Sequence, residues 1–273
     1  MPELPEVETI ARILRQGAPN QPSILGRCIL SAELFWQRTL AEPSPDEFTR
    51  LIEGQLIHTI YRRGKFLVFQ LSHDWLLLHL RMSGDLFVKP TGTPPENHDR
   101  LILSLEGGIQ LVFNDARKFG RVWLVKEVDS VLRNLGPEPL DEKLSAEEFY
   151  QRLHANRRQL KPLLLDQTFL AGLGNIYVDE ALNLACLHPL LTSNLLTPKQ
   201  TGQLLDAIRI VLKDGIMRNG ASIDWVYRGG NFQNYFRVYQ RTGQPCPECG
   251  TPIARIRVGQ RGTHFCPHCQ PAP

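Results

Sequence analysis

Residues 246–269 have the sequence CPECGTPIARIRVGQRGTHFCPHC, which contains two C-x-x-C pairs. Cys246 pairs with Cys249 and Cys266 pairs with Cys269, and the sixteen residues between the pairs are typical of a zinc ribbon. Each pair can turn two thiolates toward one ion, and two pairs complete a closed tetrahedral shell. We therefore predict one structural zinc ion. Iron in the same four-sulfur shell is one alternative, and two disulfides or two separate redox pairs are another.

The segment between the two pairs predicts a β-hairpin. Ile253, Ile256 and Val258 are apolar, and Gly259 and Gly262 permit a turn. From residue 232 to residue 273 there are five basic residues and one acidic residue, which gives a local charge of +4; they are Arg237, Arg241, Arg255, Arg257, Arg261 and Glu248. A metal-held hairpin with a basic tip suits a phosphate backbone, and a solvated basic face is the alternative.

Composition narrows the class of protein. The chain has 273 residues, 42% of them hydrophobic, which excludes a disordered chain and a disulfide-dense mini-protein. The net charge is only +3, so a polyanionic partner would have to be bound by locally concentrated charge. The remaining cysteines, Cys28 and Cys186, stand in apolar contexts and are expected to be buried.

Upstream of the hairpin the apolar periodicity divides the chain. Residues 4–16 have the spacing of an amphipathic helix, and about 24–126 hold short apolar runs typical of a β-sandwich or barrel. LGPEPL at 135–140 predicts a linker. Beyond it the spacing predicts four helices, near 145–155, 159–168, 175–186 and 197–218. The glycine-rich and aromatic stretch 219–236 predicts a long loop.

Pro2 and Glu3 are an unusual pair. If Met1 is removed, Pro2 becomes a secondary amine with a pKa near about 8, which can attack an aldehydic carbon. Glu3 could then move protons. The alternative is structural, because Pro and Glu are ordinary residues in the first turn of a helix.

The N-terminal sequence lacks the pattern of a secretory signal, and no apolar run approaches the roughly 18 residues of a membrane span. We therefore expect a cytoplasmic protein without membrane segments.

Seven motifs in order carry a resemblance that covers essentially the whole chain. They are MPELPEVET at 1–9, RRGKFL at 62–67, HLRMSG at 79–84, DARKFG at 115–120, LGPEPL at 135–140, AGLGNIYVDEAL at 171–182 and GQRGTHFCPHC at 259–269. Together they closely resemble bacterial formamidopyrimidine-DNA glycosylase, a bifunctional glycosylase and AP lyase that removes 8-oxoguanine and formamidopyrimidines from DNA.

The resemblance implies an α+β, multidomain fold. Its expected parts are an N-terminal β-sandwich with a terminal helix (1–134), a helical domain with a helix–two-turn–helix motif and a lesion-capping loop (135–236), and a C-terminal zinc-finger β-hairpin (237–273). The expected partner is double-stranded DNA containing oxidised purines, bound by a monomer that works at the bacterial nucleoid in base excision repair.

The resemblance also assigns the chemistry. Pro2 matches the nucleophile that forms a Schiff base with C1′ of the damaged nucleotide, and Glu3 matches its acid/base partner. Lys65 in RRGKFL resembles the proton donor for β-elimination, and Arg261 in QRGTHF resembles the arginine of δ-elimination.

Further residues match the DNA-binding surface of the family. Met82, Arg117 and Phe119 match the three side chains that fill the void left by the flipped base, here called the void-filling trio. By composition alone, Met82 and Phe119 would be strand core. Asn175 matches the phosphate-binding amide of the helix–two-turn–helix motif, with a helix-capping role as the alternative. His98 and Arg157 fall at or beside DNA-contacting positions of the family.

In the lesion-capping loop, Tyr227 and Arg228 are candidate contacts to the flipped base.

Two rival functions stay open at this point. One is the related activity on oxidised pyrimidines, of the endonuclease VIII type. The other is a non-catalytic, zinc-dependent DNA-binding protein, which leaves Pro2 and Glu3 without a purpose.

Overall fold

A computed structural model describes residues 1–19, 21–222 and 229–273. The helices in these ranges are α1 (Leu4–Gln16), α2 (Pro45–Ile52), α3 (Asp129–Leu132), α4 (Ala146–His154), α5 (Leu160–Leu164), α6 (Asn175–Leu184) and α7 (Pro198–Met217). The strands are β1 (Ile29–Leu34), β2 (Leu40–Glu42), β3 (Ile57–Arg63), β4 (Phe66–Leu71), β5 (Trp75–His79), β6 (Gly84–Pro90), β7 (Asp99–Leu105), β8 (Ile109–Asp115), β9 (Arg121–Val125), β10 (Ala254–Val258) and β11 (Arg261–Phe265).

The chain forms two compact units. The first is built on Met1–Arg133, and the second on Asn134–Ala221 together with Gly230–Pro273. The expected α+β fold is confirmed, and the helical segment and the zinc-finger segment lie in one unit. The domain boundaries at 134 and 236 stay predictions.

The first unit is a β-sandwich. One sheet has the strand order β1-β7-β8-β6 and the other β2-β9-β5-β4-β3, with every pairing antiparallel except β2 with β9. Alternate residues of both sheets enter one core, as shown by Leu101, Leu103 and Leu105 of β7 and by Leu67, Phe69 and Leu71 of β4. The short apolar runs predicted a sandwich or a barrel, and the structure is the sandwich, with the alternation of a β-strand along each chain segment.

Helix α1 adds its apolar stripe to the same core through Val7, Ile10, Ala11 and Leu14. Its outer side lies along β3, where Arg62 Nε is 3.2 Å from Glu8 Oε2 and Arg15 Nη1 donates to Ile60 O at 3.1 Å. Arg15, near the end of α1, thus contacts residue 60 of β3, whereas Glu8, nearer the start of α1, contacts residue 62. The start of α1 therefore points toward the turn that joins β3 to β4.

The second unit contains the four predicted helices. Thr197 and Gln200 form a capping box at the start of α7, and Ser145 Oγ accepts from Glu148 N at 3.0 Å to cap α4. The helix predicted over 159–168 ends at Leu164, because the Asp166 side chain accepts from Thr168 N at 3.0 Å and stabilises a turn instead.

Two further expectations were wrong or incomplete. Cys186 is exposed rather than buried, because it follows α6 in a left-handed conformation with φ +55° at the surface, and Cys28 is only half-buried. Helix α2 was not predicted, although Ser44 and Pro45 are a start signal for it.

In the described ranges, no helix combines the length and apolar character that crossing a bilayer requires.

Candidate functional site

The start of α1 buries both residues of the Pro-Glu pair. Pro2 is buried, and Glu3 is the N-cap of the helix with only 2% of its surface exposed. The Glu3 N–H donates to Glu6 Oε2 at 2.7 Å, so a second buried carboxylate lies one turn away. The positive end of the α1 dipole favours these carboxylates. A buried acid therefore adjoins the residue whose nitrogen is the candidate nucleophile.

Lys65 lies in the turn between β3 and β4 and is 5% exposed. Burial, followed by the charges of Arg81 and Lys65, lowers the pKa of His79 at the end of β5 to about 3. His79 Nδ1 accepts from Arg81 N at 3.0 Å, which leaves the ring proton of the neutral imidazole on Nε2. His79 is thus neutral near neutral pH and carries a donor N–H at Nε2. Sequence reasoning gave it no role, although it lies in the quoted motif HLRMSG.

The void-filling trio lies at the surface of the first unit, on two loops. Met82 follows β5 and is 36% exposed, whereas Arg117 and Phe119 follow β8 and Phe119 is 48% exposed. The Arg117 guanidinium lies over the Phe119 ring, with Cζ 5.1 Å from the centroid. Composition alone was therefore wrong in placing Met82 and Phe119 in strand cores. Two large apolar side chains and a cation project instead.

His98 lies in the turn before β7 and is exposed, and a buried arginine ties it to β8. Arg100 Nε donates to Asp115 O at 2.8 Å, and its Nη2 is 3.4 Å from His98 Nδ1. The backbone of His98 also accepts from Asp115 N at 2.8 Å. Sequence reasoning missed Arg100, because its partners are fifteen and two residues away and no spacing rule connects them.

In the second unit, Asn175 is the first residue of α6, and its N-cap is Gly174. The helix-capping alternative for Asn175 is therefore wrong. Its Nδ2 instead donates to Gly262 O on the zinc-finger hairpin at 3.1 Å, and its buried Oδ1 has no partner within the described residues. Gln167 fixes the preceding loop, since its Oε1 accepts from Gly172 N and its Nε2 donates to Leu173 O, both at 2.9 Å.

The hairpin turn consists of Gly259 and Gln260, both with positive φ, between β10 and β11. Two left-handed residues match the twist of a two-residue hairpin. Gly262, which was predicted to lie in the turn, is a strand residue paired with Arg257. Arg261 directly follows the turn and is exposed. The structure thus places Arg261 next to the Gly262 carbonyl that Asn175 contacts.

A fully buried ion pair holds this arrangement together. Lys161 Nζ lies 2.6 Å from Asp179 Oδ1, with both side chains 0% exposed, and it also donates to Gly262 O at 3.0 Å. The other oxygen of Asp179 accepts from His264 N at 2.9 Å. The hairpin is thereby bound to α5 and α6 by charge-assisted bonds.

Arg157 and Arg158 differ in their surroundings. Arg158 Nη1 forms an ion pair with Asp166 Oδ2 at 2.7 Å. Arg157 is exposed, and the described residues offer it no hydrogen bond or ion pair. Arg157 is therefore the member of the pair that is available to an anion.

The four predicted cysteine ligands converge. Their sulfurs all lie within 4.8 Å of one another, and individual Sγ separations are 3.5 Å for Cys249 with Cys266 and 3.9 Å for Cys246 with Cys269. A tetrahedron with Zn–S bonds of about 2.3 Å has edges of about 3.8 Å. The donor set and its spacing fit one structural zinc ion, as predicted, and the separations are far too long for disulfides.

Glu180 attaches the start of the zinc-finger segment, residues 237–239, to α6. This buried carboxylate accepts from the N–H groups of Arg237, Val238 and Tyr239 at 2.7, 3.0 and 2.8 Å. Burial raises the pKa of Glu180, and these three bonds oppose that rise.

Tyr227 and Arg228 lie outside the described residues.

Comparison with known proteins gives three family matches along the chain. Residues 1–122 match the formamidopyrimidine-DNA glycosylase N-terminal domain, 135–226 the formamidopyrimidine-DNA glycosylase H2TH domain, and 243–272 a zinc finger found in FPG and IleRS.

Relatives match over nearly the full length. Formamidopyrimidine-DNA glycosylases of Chloroflexus aurantiacus and Protochlamydia amoebophila are 46% and 43% identical, over 99% of this chain and 98% and 99% of theirs. Among solved structures, the Lactococcus lactis FPG (MutM) bound to FAPY-dG-containing DNA is 39% identical with a TM-score of 0.91, over 99% of this chain and 100% of that one. A MutM complex with carbocyclic 8-oxo-G-containing DNA gives the same values.

Proposed function

The chain belongs to the formamidopyrimidine-DNA glycosylase family, and from this premise we propose that Pro2 and Glu3 carry its chemistry. The protein is a DNA glycosylase that excises formamidopyrimidines and 8-oxoguanine, and AP lyase activity is typical of the family. The observation that carries the proposal is the burial of Pro2 directly before a buried N-cap carboxylate, Glu3.

Glycosidic cleavage begins at the amine of Pro2 once Met1 has been removed. The nitrogen lone pair forms a bond to C1′ while the C1′–N9 bond breaks, and the base leaves with that electron pair and takes up a proton. The Pro2 nitrogen, now a cation, releases its own proton. Its lone pair then forms the C1′=N bond of an iminium while the C1′–O4′ bond breaks and its electron pair goes to O4′. Glu3 protonates O4′, because it is the acid nearest in sequence to the reacting nitrogen.

Strand cleavage follows from the iminium, which acidifies C2′–H. Loss of that proton expels the 3′ phosphate with the C3′–O electron pair. In the second elimination the C4′ proton is lost and the 5′ phosphate leaves with the C5′–O electron pair. Lys65 protonates the first leaving oxygen, and the neutral Nε2–H of His79 beside it can hold a phosphate. Arg261 assists the second elimination by binding the 5′ phosphate.

The void-filling trio occupies the space of the extruded nucleotide. Unstacking a base costs a few kcal/mol, which inserted apolar side chains offset. Phe119 wedges beside the orphaned base, Met82 fills the remaining space, and Arg117 donates to the unpaired cytosine. Their exposure on two adjacent loops supports this role.

Phosphate binding in the second unit rests on Asn175, Arg261 and Arg157. Asn175 begins α6, where the helix dipole favours an anion, and Arg261 and Arg157 are exposed cations. His98 supplies a further contact from the first unit.

The substrate is duplex DNA with an oxidised purine. We propose a monomer acting at the nucleoid, since one copy supplies every proposed site residue. The zinc ion is structural, because four cysteines fill its shell.

Borohydride trapping tests the nucleophile. With an 8-oxoguanine duplex, the protein with a free Pro2 should form a covalent adduct. Peptide mapping should locate this adduct on Pro2, the first residue of the N-terminal peptide. A Gly-Ser extension ahead of Pro2 should abolish the adduct, because the nitrogen is then an amide. Pro5→Ala, which changes another buried proline of the same helix start, should keep it. An adduct on any lysine, or none with the free terminus, would refute the assignment.

A further inference from the structure

A buried carboxylate outside the proposed site connects the two loops of the void-filling trio. Asp115 is 1% exposed. Its Oδ1 accepts from the hydroxyl of Ser83 and from the backbone N of Arg117, the latter at 3.1 Å, and its Oδ2 accepts from Gly120 N at 2.7 Å. The Ser83 hydroxyl oxygen in turn accepts from Arg117 N at 3.1 Å. One side chain therefore joins the loop after β5 to both ends of the loop after β8.

Both loops have conformations that need such support. Arg81 and Lys118 adopt left-handed backbone conformations with φ +54° and +59°, which residues other than glycine rarely adopt. The second loop also closes tightly, because a Cβ on Gly120 would lie 2.3 Å from Phe113 Cζ. Loops this constrained keep their shape only while the surrounding bonds hold.

Asp115 is itself fixed from behind. Its backbone N donates to His98 O and its backbone O accepts from Arg100 Nε, both at 2.8 Å. The backbone that carries the Asp115 carboxylate is thus held in place on both sides.

We propose that Asp115 is a positioning residue for base extrusion, holding the two loops so that the void-filling trio enters the duplex as one preassembled unit. Three side chains on independent loops would each have to be ordered during insertion, whereas a preassembled wedge has lost that freedom already. The proposal rests on the proposed function of the trio. It adds that the Ser83–Asp115 bridge, and not only the trio itself, sets the rate of extrusion.

The test compares two rates for each variant under single-turnover conditions. One is excision of 8-oxoguanine opposite cytosine, and the other is cleavage of a preformed abasic site, which has no base to unstack. Their ratio isolates the extrusion step from catalysis by Pro2. A 2-aminopurine next to the lesion reports unstacking directly by its fluorescence.

Asp115→Asn replaces one accepting oxygen with an amide NH2, which cannot accept from Gly120 or, if flipped, from Ser83 and Arg117. We expect the ratio to fall about ten- to a hundredfold, the usual effect of losing a hydrogen bond to a charged group. Ser83→Ala removes only the bridge between the loops and should lower the ratio about tenfold. It also keeps the test decisive if Asp115→Asn does not fold.

Asp74→Asn is the matched control. Asp74 is a 5% exposed carboxylate of the same unit, bonded to Gln55 and Lys126 rather than to either loop. It should lower stability without changing the ratio.

The proposal is overturned if Asp115→Asn and Ser83→Ala keep the wild-type ratio while Phe119→Ala lowers it. It is also overturned if Asp115→Asn and Ser83→Ala lower both rates equally, because the role is then only structural. If Phe119→Ala and Met82→Ala leave the ratio unchanged, the void-filling assignment itself fails, and this inference fails with it.

Discussion

The most quantitative consequence of the structure concerns His79. Its pKa is lowered to about 3 from 6.5, chiefly by burial and then by the charges of Arg81 and Lys65. Because the folded-state pKa is the lower one, the unfolded chain binds more protons between about pH 3 and 6.5. Stability from this residue is therefore complete above pH 6.5 and is lost as the pH falls.

One pKa unit corresponds to 1.36 kcal/mol. At pH 5, which is 1.5 units below the unfolded value, protonation of His79 in the unfolded chain should lower the free energy of unfolding by about 2 kcal/mol compared with pH 7.5. At pH 4 the loss should be about 3 kcal/mol. His79→Asn keeps an acceptor for Arg81 N near the position of Nδ1 but cannot be protonated. The variant should lack this part of the acid destabilisation.

Urea unfolding followed by tryptophan fluorescence measures the effect, because Trp75 and Trp123 lie on β5 and on its neighbour β9. His58→Asn, at an exposed position of β3, is the matched control and should retain the wild-type pH dependence. The reasoning would be refuted if His79→Asn lost as much free energy as the wild type between pH 7.5 and pH 5.

Two further predictions concern the second unit. Lys161→Met leaves the Asp179 carboxylate buried without its cation and should cost about 3–5 kcal/mol, measured by urea unfolding with zinc release as the probe of the hairpin; a loss below about 1 kcal/mol would contradict the bridging role. Arg261→Ala should weaken duplex binding and reduce the slope of log K against log salt by about 0.9, whereas Arg50→Ala on α2 should not, and an unchanged slope for Arg261→Ala would indicate a solvated arginine.

Much of the architecture follows from local sequence. The spacing of two C-x-x-C pairs predicts the zinc ion, because ligand geometry is encoded within each tight turn. Thr197 and Gln200 mark the start of α7 by a capping box that spans three residues. The apolar stripe of α1 likewise predicts which face is buried. The helix predicted over 159–168 was too long, because the Asp166 side chain stabilises a turn by accepting from Thr168 N.

The candidate site shows the same difference between local sequence signals and long-range contacts. Through resemblance, motifs indicated Pro2, Glu3 and the void-filling trio as candidate site residues. Composition put Met82 and Phe119 in the core, because an apolar side chain alone does not say whether it faces a core or a partner. Asn175 illustrates the same limit. Its position before a helix suggested a cap, whereas its amide contacts Gly262, which is 87 residues away.

By itself, the sequence determined the zinc ligands, the order of the β-rich and helical segments and the family, since neighbouring residues carry each of these signals. Only the tertiary structure decided that His79 stays neutral, that Lys161 is matched by Asp179, and that Asp115 joins the two loops of the void-filling trio. The charge state and partners of a buried polar group depend on which distant segments exclude water from it. That exclusion is a property of the assembled core.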